Sequence, residues 1–267
     1  MKRRFFKIIA CEIAVREISF VASQSPHLVD MEFLTQGLHD NPSAGCGEIQ
    51  RRIDAVPAGK YDAILLGYGL CGNILRGIRP RHTPLVIPRA HDCITFFLGS
   101  KERYQQRQAG HVGSYYYSSG WLECRQRRGE NSPPVGIMAM PMRAGAAQST
   151  DSIRSEMIRK YGEDGAAYLL EMMSEWTQHY THGALIEFDF TRVLGLGEQV
   201  RAICRERGWE FEEVNGDLGL LRRWVIGEWN EKDFLVVQPE QQIAPCHDER
   251  IILAEAAGQP GKPMAST

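Results

Sequence analysis

The sequence lacks long apolar runs and any excess of charge of one sign. Its 267 residues include 31 basic and 33 acidic side chains, for a formal net charge of −2 at pH 7. This balance gives no electrostatic support for binding to nucleic acid or to an anionic membrane surface. The apolar run Phe5–Ala10 follows three basic residues, but charged residues soon interrupt it and it is far too short to span a bilayer. We therefore predict a first β-strand there rather than a signal peptide or a membrane anchor.

The sequence also contains no CxxC motif and no closely spaced pair of cysteines. The seven cysteines, an odd number, are scattered along a chain of ordinary size and do not resemble a disulfide framework. We therefore expect a cytoplasmic protein whose thiols are free to bind metal or to react. Four of them have no position at the end of a predicted strand and are interpreted as structural: Cys46, Cys124, Cys204 and Cys246.

The composition is that of an ordinary globular protein, with 43% hydrophobic and 24% charged residues. Short apolar runs of strand length alternate with segments of helical periodicity, which is typical of an α/β fold with a mostly parallel sheet flanked by helices. The clearest strands are Phe5–Ala10, Tyr61–Leu66 and Leu85–Pro88, and a helix is predicted from Cys93 to Gln108.

Two domain organisations are compatible with this pattern. Residues 1–254 form either a single α/β domain or two Rossmann-like lobes sharing a cleft, over about 1–123 and 151–254. In the second case the polar, proline-containing segment 124–150 is an insertion that joins the lobes. The small and polar residues 255–267 predict a disordered tail.

Candidate metal ligands follow the three clearest strands. Cys11 comes directly after the first strand, Cys71 after the second and its glycine-rich turn, and His91-Asp92-Cys93 after the third. In open parallel sheets the carboxyl ends of the strands share one edge, where ligands bind. If the three strands are parallel neighbours, Cys11, Cys71, His91 and Cys93 converge. Thiolate sulfur and imidazole nitrogen suit zinc, iron or an iron–sulfur cluster, and do not suit magnesium or calcium.

Each of these residues also has a simpler interpretation. A free cysteine at a strand end is often a small buried hydrophobe, and only the joint placement of four candidates favours a shared site. Other polar candidates are weaker. The aromatic stretch Tyr115–Tyr117 could line a pocket but is more typical of packing, and Asp217 suits a helix cap as well as a site acid.

Cys71 supports a second hypothesis that needs no metal. In Gly69-Leu70-Cys71-Gly72 the thiol lies in a tight glycine turn that resembles a nucleophile elbow, although the G-x-S-x-G spacing is missing. The N–H groups that follow could stabilise a thiolate or an oxyanion. His91 or Asp92 could then act as a base or orient one, so that Cys71, His91 and Asp92 would be the catalytic residues.

The same turn contains a literal match to the dinucleotide-binding fingerprint, Gly67-x-Gly69-x-x-Gly72, after a strand. The chain reaches Pro80 soon after it, which leaves too short a helix for the usual pyrophosphate platform. We therefore expect these glycines to let the backbone approach a substrate or cofactor. Arg89, beside the site, could neutralise an anionic substrate or pair with an acid.

Several segments resemble the family known as domain of unknown function 1638. The resemblance is carried by Leu66–Asn73, by Pro88–Ile94 and by Leu98-Gly99-Ser100, with weaker matches from about Phe5 to Ile243. The sequence departs from the family pattern at Ile74, where glycine is expected after Cys-Gly-Asn, and it carries an extended region after Cys124.

The resemblance implies an association with corrinoid-dependent methyltransferase systems, and hence with one-carbon, methyl-transfer metabolism. The leading hypothesis is therefore a metal-binding protein with a Cys/His site at strand ends, which could be a metal-dependent transferase acting on a small molecule. Zinc is the expected metal, with iron or an iron–sulfur cluster as alternatives. The other hypotheses are the metal-free cysteine enzyme and a non-catalytic accessory protein that delivers a metal or corrinoid to a methyltransferase partner.

Overall fold

The chain forms two compact units in the computed structural model, which describes residues 2–38, 41–111, 113–128, 158–159, 162–165 and 180–257. The first unit combines the residues up to Lys101 with those from Asp217 onward, and the second comprises Glu102–Gly216. The chain therefore leaves the first unit and returns to it, so these units differ from lobes that follow each other along the sequence. Most of the predicted insertion at 124–150 lies outside the described residues, and its first part, to Arg128, belongs to a helix.

The described helices and strands alternate along most of the chain. In order they are β1 (Phe5–Cys11), α1 (Val15–Ser23), β2 (Leu28–Leu34), α2 (Pro42–Asp54), β3 (Ala63–Gly67), β4 (Leu85–Pro88), α3 (Ile94–Leu98), α4 (Lys101–Gly110), β5 (Ser114–Tyr117), α5 (Ser119–Arg128), β6 (His182–Glu187), α6 (Leu196–Arg207), β7 (Glu210–Asn215), α7 (Gly219–Val225), β8 (Phe234–Val237), β9 (Gln241–Pro245) and β10 (Ile252–Ala256).

The first unit is built on a five-stranded sheet in the order β2-β1-β3-β4-β8. The first four strands are parallel, and β8 pairs antiparallel with β4 at the edge. All residues of β3 and β4 are buried, as expected for central strands covered on both faces. An antiparallel hairpin of β9 and β10 completes the unit. The predicted α/β fold with a mostly parallel sheet flanked by helices is confirmed.

Helix boundaries follow local sequence signals. α2 begins where the Asn41 side chain accepts a hydrogen bond from the Ala44 N–H at 3.3 Å, with Pro42 at the first helical position. α3 ends after five residues at Gly99, whose φ of 80° suits glycine. The helix predicted from Cys93 to Gln108 is therefore wrong as a single element, because Gly99 and Ser100 separate α3 from α4.

The hydrophobic core of the first unit contains side chains from the sheet and from the helices that cover it. One cluster joins Ile9 and Leu66 of the sheet with Ile49 and Ile53 of α2. Trp224 of α7 is fully buried, and its indole N–H donates to the Val86 carbonyl at 3.1 Å. These contacts pack α2 and α7 against the central strands.

The second unit contains the parallel sheet β5-β6-β7 and helix α6. The predicted aromatic stretch Tyr115–Tyr117 lies in β5, where Tyr115 and Tyr117 are buried and their ring centroids are 5.0 Å apart. Tyr115 also contacts Trp209, at 6.0 Å between centroids. These residues pack within the core of their own unit.

The C-terminal residues extend the ordered fold beyond the predicted boundary. Glu255 and Ala256, assigned to a disordered tail from the sequence, pair with Gln242 and Gln241 in the β9–β10 hairpin. Ala257 is also described, and its N–H donates to the Glu240 carbonyl at 2.9 Å, whereas residues 258–267 of the predicted tail lie outside the described residues. Within the described part of the chain, no helix has both the length and the apolar character needed to cross a membrane.

Candidate functional site

The three strands that precede the candidate ligands are parallel neighbours. β1 pairs with β3, with Ala10 opposite Gly67, and β3 pairs with β4, with Leu65 opposite Val86. The predicted adjacency of these strands is thus confirmed. Because the strands run in the same direction, the residues that follow them emerge at one edge of the sheet, which we call the thiol edge after Cys11, Cys71 and Cys93. All three residues are partly exposed, and none of them forms a disulfide.

The turn after β3 has an unusual backbone. Cys71, Gly72 and Asn73 have φ values of 34°, 66° and 71°, so three successive residues lie on the left-handed side. Only glycine adopts this conformation without cost, and a non-glycine residue there is worth about 1–3 kcal/mol of strain. The turn is held by hydrogen bonds from the Leu70 N–H to the Ala90 carbonyl, at 2.9 Å, and from the Cys71 N–H to the His91 carbonyl, at 2.8 Å.

A glycine lets the loops after β3 and β4 come together. A β-carbon added to Gly69 would lie 2.6 Å from the Cα of Asp92 and 2.9 Å from its backbone N and C. Real β-carbons essentially never approach backbone atoms so closely, so any side chain here would force the loops apart. The absence of a side chain at Gly69 therefore brings Cys71 near Cys93.

The thiols of Cys71 and Cys93 are held in their neutral form. Burial, together with the negative charge of Asp92, raises the pKa of Cys71 to about 12, although hydrogen bonding from the backbone N–H groups of Cys93 and Gly69 opposes the increase. Burial also raises the pKa of Cys93 well above 9.0, and Cys71, Asp92 and Cys11 add to the effect. The structure therefore places all three thiols within electrostatic range of one another.

His91 and Asp92 have different environments. Asp92 acts on the pKa of both Cys71 and Cys93, and its Oδ1 accepts a hydrogen bond from the Ile94 N–H at 3.0 Å, at the start of α3. His91 is exposed, and its carbonyl rather than its ring holds the Cys71 turn. Asp92 is thus the neighbour of the thiols, and the imidazole lies at the rim.

Two residues at this edge were not identified from the sequence. Tyr68 follows β3 directly and is 5% exposed, and the thiols of Cys11 and Cys71 and the Glu12 carboxylate all act on its hydroxyl. Glu12 is buried and accepts a hydrogen bond from the Gln36 N–H at 2.8 Å. The only sequence signal is position, since Glu12 directly follows β1 and Tyr68 directly follows β3.

The donor set has the right chemistry for a soft metal but is not assembled as a coordination sphere. Among the residues that the structure describes, no group of three or more histidine, cysteine, aspartate or glutamate side chains stands in a metal-holding arrangement. Zinc–thiolate bonds are only about 2.3 Å long. A metal at this edge would therefore have to draw the sulfurs together.

The residues predicted to bind a cofactor have structural contacts. A β-carbon on Gly67 would lie 2.6 Å from the Ala10 β-carbon, so this glycine lets β1 and β3 pack. The Arg89 guanidinium is buried and donates to the backbone carbonyls of Glu231 at 2.8 Å and Arg250 at 3.0 Å, and to that of Ile252. These contacts tie β4 to the C-terminal segment and occupy the group expected to meet an anionic substrate.

Other candidates lie away from the thiol edge or have structural contacts. The Asp217 carboxylate accepts a hydrogen bond from the Gly219 N–H at 2.6 Å, which gives it a structural contact in the turn before α7, whose N-cap residue is Leu218. Cys46 donates to the Arg76 carbonyl at 3.4 Å, and Cys124 and Cys204 are buried in the second unit.

The fold and the site define an α/β protein with one mostly parallel and one parallel sheet, the first of which carries three cysteines at the carboxyl ends of neighbouring strands. The family model described as Protein of unknown function (DUF1638) matches residues 33–225, well over half of the chain, and the chain belongs to that family. The predicted resemblance is thus confirmed. Cys71 and Cys93 lie inside the matched range, whereas Cys11 precedes it. No curated protein and no solved structure matches the chain.

Proposed function

We propose that Cys11, Cys71 and Cys93 bind a soft metal ion, zinc in the first instance, and that the protein uses this centre in a transfer reaction on a small molecule. The observation that carries the proposal is the convergence of three cysteines that follow three neighbouring parallel strands, close enough that ionisation of Cys71 or Cys11 would raise the pKa of Cys93. Sulfur ligands select zinc, iron and related soft metals.

The electrostatics of the edge favour a bound cation. Catalytic thiolates that work without metal lie in electropositive surroundings that lower their pKa. Here the described groups acting on the pKa values of Cys71 and Cys93 are Asp92, the thiols and backbone amides, and none is a cation. A metal ion reverses this balance, because a coordinated thiol is deprotonated outright.

The ligand set differs in emphasis from the one predicted. His91 is exposed, so its imidazole is a weaker candidate ligand than the three cysteine sulfurs. Three protein ligands are typical of catalytic zinc, which leaves a further position for water or substrate. Bound there, the metal would supply Lewis acidity that lowers the pKa of a coordinated water or substrate thiol. The hydrogen bonds from the Gly69 and Cys93 backbone N–H groups would orient the Cys71 thiolate.

Methyl transfer is the reaction class that we favour, with a corrinoid or methyltransferase protein as partner and the cytoplasm as location. A substrate thiol activated as a methyl acceptor suits a metal centre at a part-exposed edge. The support is the family resemblance and the thiol chemistry together.

The test is elemental analysis of the protein purified anaerobically without a metal-chelating tag. We expect about one zinc per chain, or several irons if a cluster forms. Cys71→Ser should lose the metal. The matched control is Cys46→Ser, since Cys46 is also part-exposed but its thiol is engaged with the Arg76 carbonyl. Metal-free protein in all three preparations, after zinc has been offered and excess removed, would contradict the proposal.

The backbone at Cys71 favours a second candidate, a metal-free cysteine nucleophile. A non-glycine residue held at a φ of 34° in a turn after a central strand is the kind of strain often found at reactive positions. Its test is peptide mapping of the metal-free protein after brief alkylation near neutral pH. Preferential modification of Cys71 would favour this candidate, whereas slow modification, as its raised pKa predicts, would favour the metal.

A further inference from the structure

Residues 76–82 form an exposed basic segment in a chain whose formal net charge is −2 at pH 7. The segment contains Arg76, Arg79, Arg81 and His82 and no acidic residue, and all four basic residues are exposed. Within the part of the chain that the structure describes, the guanidinium groups of Arg76 and Arg79 make no hydrogen bond and no ion pair. Both groups are therefore available to a partner.

The segment is fixed against helix α2. Three contacts join the two: the Cys46 thiol donates to the Arg76 carbonyl at 3.4 Å, the Gln50 amide bonds the Arg79 carbonyl and N–H at 2.9 and 3.0 Å, and Arg81 donates to the Asp54 carbonyl at 3.2 Å. Cys46, Gln50 and Asp54 are four residues apart, so they follow one face of the helix at intervals of about 6 Å. Arg76, Arg79 and Arg81 are thereby arranged along α2, and we call them the arginine row.

Gln50 orders the middle of the row before any partner is bound. Its amide donates to the Arg79 carbonyl and accepts from the Arg79 N–H, and ordering of this kind reduces the entropy lost on binding. The Asp54 carboxylate accepts from the same Gln50 side chain at 2.9 Å rather than from an arginine. The positive charge of the row is therefore not neutralised within α2.

The spacing and the surroundings of the row favour an acidic helix as its partner. Carboxylates at every fourth residue of an α-helix repeat at about 6 Å, which matches the interval between the contacts that fix the row. Sites for single-stranded nucleic acid combine basic groups with aromatic side chains on which the bases stack. Residues 42–56 and 74–84, which include α2 and the row, contain no phenylalanine, tyrosine or tryptophan.

We propose that the arginine row binds an acidic, α-helical segment of a partner protein, which lies alongside α2. The row begins next to the strained turn of the thiol edge, since the Arg76 N–H donates to the Asn73 carbonyl at 3.0 Å. One end of the bound helix is therefore beside that edge. The inference rests on the proposed function only for the existence of a partner protein, because no residue of the row is a proposed metal ligand.

The test measures binding of a fluorescently labelled, alanine-rich peptide of about 20 residues, long enough to form a helix in water, with glutamate at every fourth position. A control peptide has the same composition, but its glutamates are distributed around the helix. Anisotropy is recorded at low ionic strength with the metal-free, full-length wild type and with Arg76→Gln/Arg79→Gln. The matched control variant is Arg205→Gln/Arg222→Gln, which removes two exposed arginines elsewhere and changes the net charge equally.

We expect Arg76→Gln/Arg79→Gln to bind the patterned peptide roughly fivefold more weakly than the wild type, the effect of losing two exposed charge pairs. The matched control variant should bind as the wild type does. Gln50→Ala keeps every arginine but releases the row from α2, so it should also weaken binding. Added salt should weaken binding by the wild type, because exposed charges are screened.

The inference is overturned if the wild type does not bind the patterned peptide, if the two peptides bind equally, or if Arg76→Gln/Arg79→Gln binds as tightly as its control. Undiminished binding by Gln50→Ala would overturn the fixed arrangement as the cause and leave only the charge. A labelled oligothymidylate that binds more tightly than the peptide, and is lost in Arg76→Gln/Arg79→Gln, would assign the row to nucleic acid instead. The protein is metal-free throughout, so these outcomes are independent of whether the thiol edge binds zinc.

Discussion

At the scale of single residues, the geometry of the thiol edge depends on a glycine, Gly69, and on the positive φ angles of three successive residues that follow it. Gly69 lets the loop after β3 lie against the backbone of Asp92, and Cys71, Gly72 and Asn73 reverse the chain immediately afterwards. The steric exclusion at Gly69 and the backbone strain at Cys71, Gly72 and Asn73 both determine where the Cys71 sulfur lies. Substitutions here should therefore affect the thiols before they affect the core.

Gly69→Ala should destabilise the protein and expose the thiols. The added methyl group would meet backbone atoms of Asp92 at 2.6–2.9 Å, and overpacking of this kind costs about 1–3 kcal/mol. We also expect faster alkylation of Cys71 and Cys93 as the loops separate. The control is Gly47→Ala in α2, where an added β-carbon meets nothing within 4 Å and should add about 0.5–1 kcal/mol of stability. Chemical denaturation and peptide mapping measure both effects, and equal behaviour of the two variants would refute the steric argument.

The raised pKa of Cys71 predicts a loss of stability at high pH. An ordinary thiol titrates near 9.0 in the unfolded chain, whereas Cys71 in the fold keeps its proton up to about pH 12. Between these values only the unfolded state has lost the proton, so raising the pH favours unfolding, by up to about 1.4 kcal/mol per pH unit. Below pH 9 the contribution is fully present.

Denaturation of the metal-free protein between pH 8 and pH 10.5 measures this effect. The free energy of unfolding of the wild type should fall more steeply above pH 9 than that of Cys71→Ser, which has no thiol to ionise at this position. Parallel curves for the two proteins would mean that the fold does not resist ionisation of Cys71.

The sequence alone identifies part of the thiol edge. Cys11, Cys71 and Cys93 are predictable because each follows an apolar run of strand length. The position of the buried Tyr68 hydroxyl near Cys11 and Cys71 is not, since a tyrosine after a buried strand is equally typical of a core. The outward position of His91 is also unpredictable, because the direction of a side chain in a loop depends on hydrogen bonds such as that from the Cys71 N–H to the His91 carbonyl.

At the scale of elements, the central strands are easier to predict than their surroundings. β3 and β4 are buried along their whole length, and continuous burial leaves a continuous apolar run. α1 is not apparent from the sequence because a buried glutamate, Glu17, interrupts its apolar pattern. β9 is equally obscure, since glutamines and a proline stand where strand residues are expected. Tertiary contacts, rather than local propensity, determine these elements.

Arg89 links two elements that are distant in sequence, β4 and the C-terminal segment. Its three backbone acceptors belong to Glu231, Arg250 and Ile252. Arg89→Met should lower the free energy of unfolding by roughly 2–4 kcal/mol, because buried carbonyls lose charged donors. Arg89→Lys should recover only part of this, since an ammonium cannot reproduce the fork of the guanidinium.

The control for this prediction is Arg81→Met. Arg81 is exposed and, within the part of the chain that the structure describes, makes a single hydrogen bond, to the Asp54 carbonyl at 3.2 Å. Its loss should therefore change stability by no more than about 0.5 kcal/mol. If Arg89→Met proved as stable as this control, the guanidinium would be free for another task, and binding of an anionic substrate would again be the better interpretation.

At the scale of the whole molecule, the first unit is assembled from both ends of the chain. Residues from Asp217 onward supply α7, β8 and the hairpin, and β8 pairs with β4 along its whole length. The segment where the chain leaves the first unit lies close to the residue where it returns, since the Asp217 N–H donates to the Phe97 carbonyl at 2.9 Å. All three cysteines of the thiol edge belong to this unit. The second unit is therefore inserted between two segments of the chain that together form the five-stranded sheet.

A shortened chain tests this organisation. Residues 1–101 joined to 217–257 through a short Gly/Ser linker should fold independently, since all five strands of the first sheet and the covering Trp224 are retained. Circular dichroism and a cooperative thermal transition would establish folding. If the proposed centre exists, the shortened chain should bind about one zinc, as the intact protein does. A shortened chain that remains unfolded would show that the first unit needs the second. One that folds but binds no zinc, while the intact protein binds it, would show that the three cysteines are not sufficient and that residues between 102 and 216 contribute to the centre.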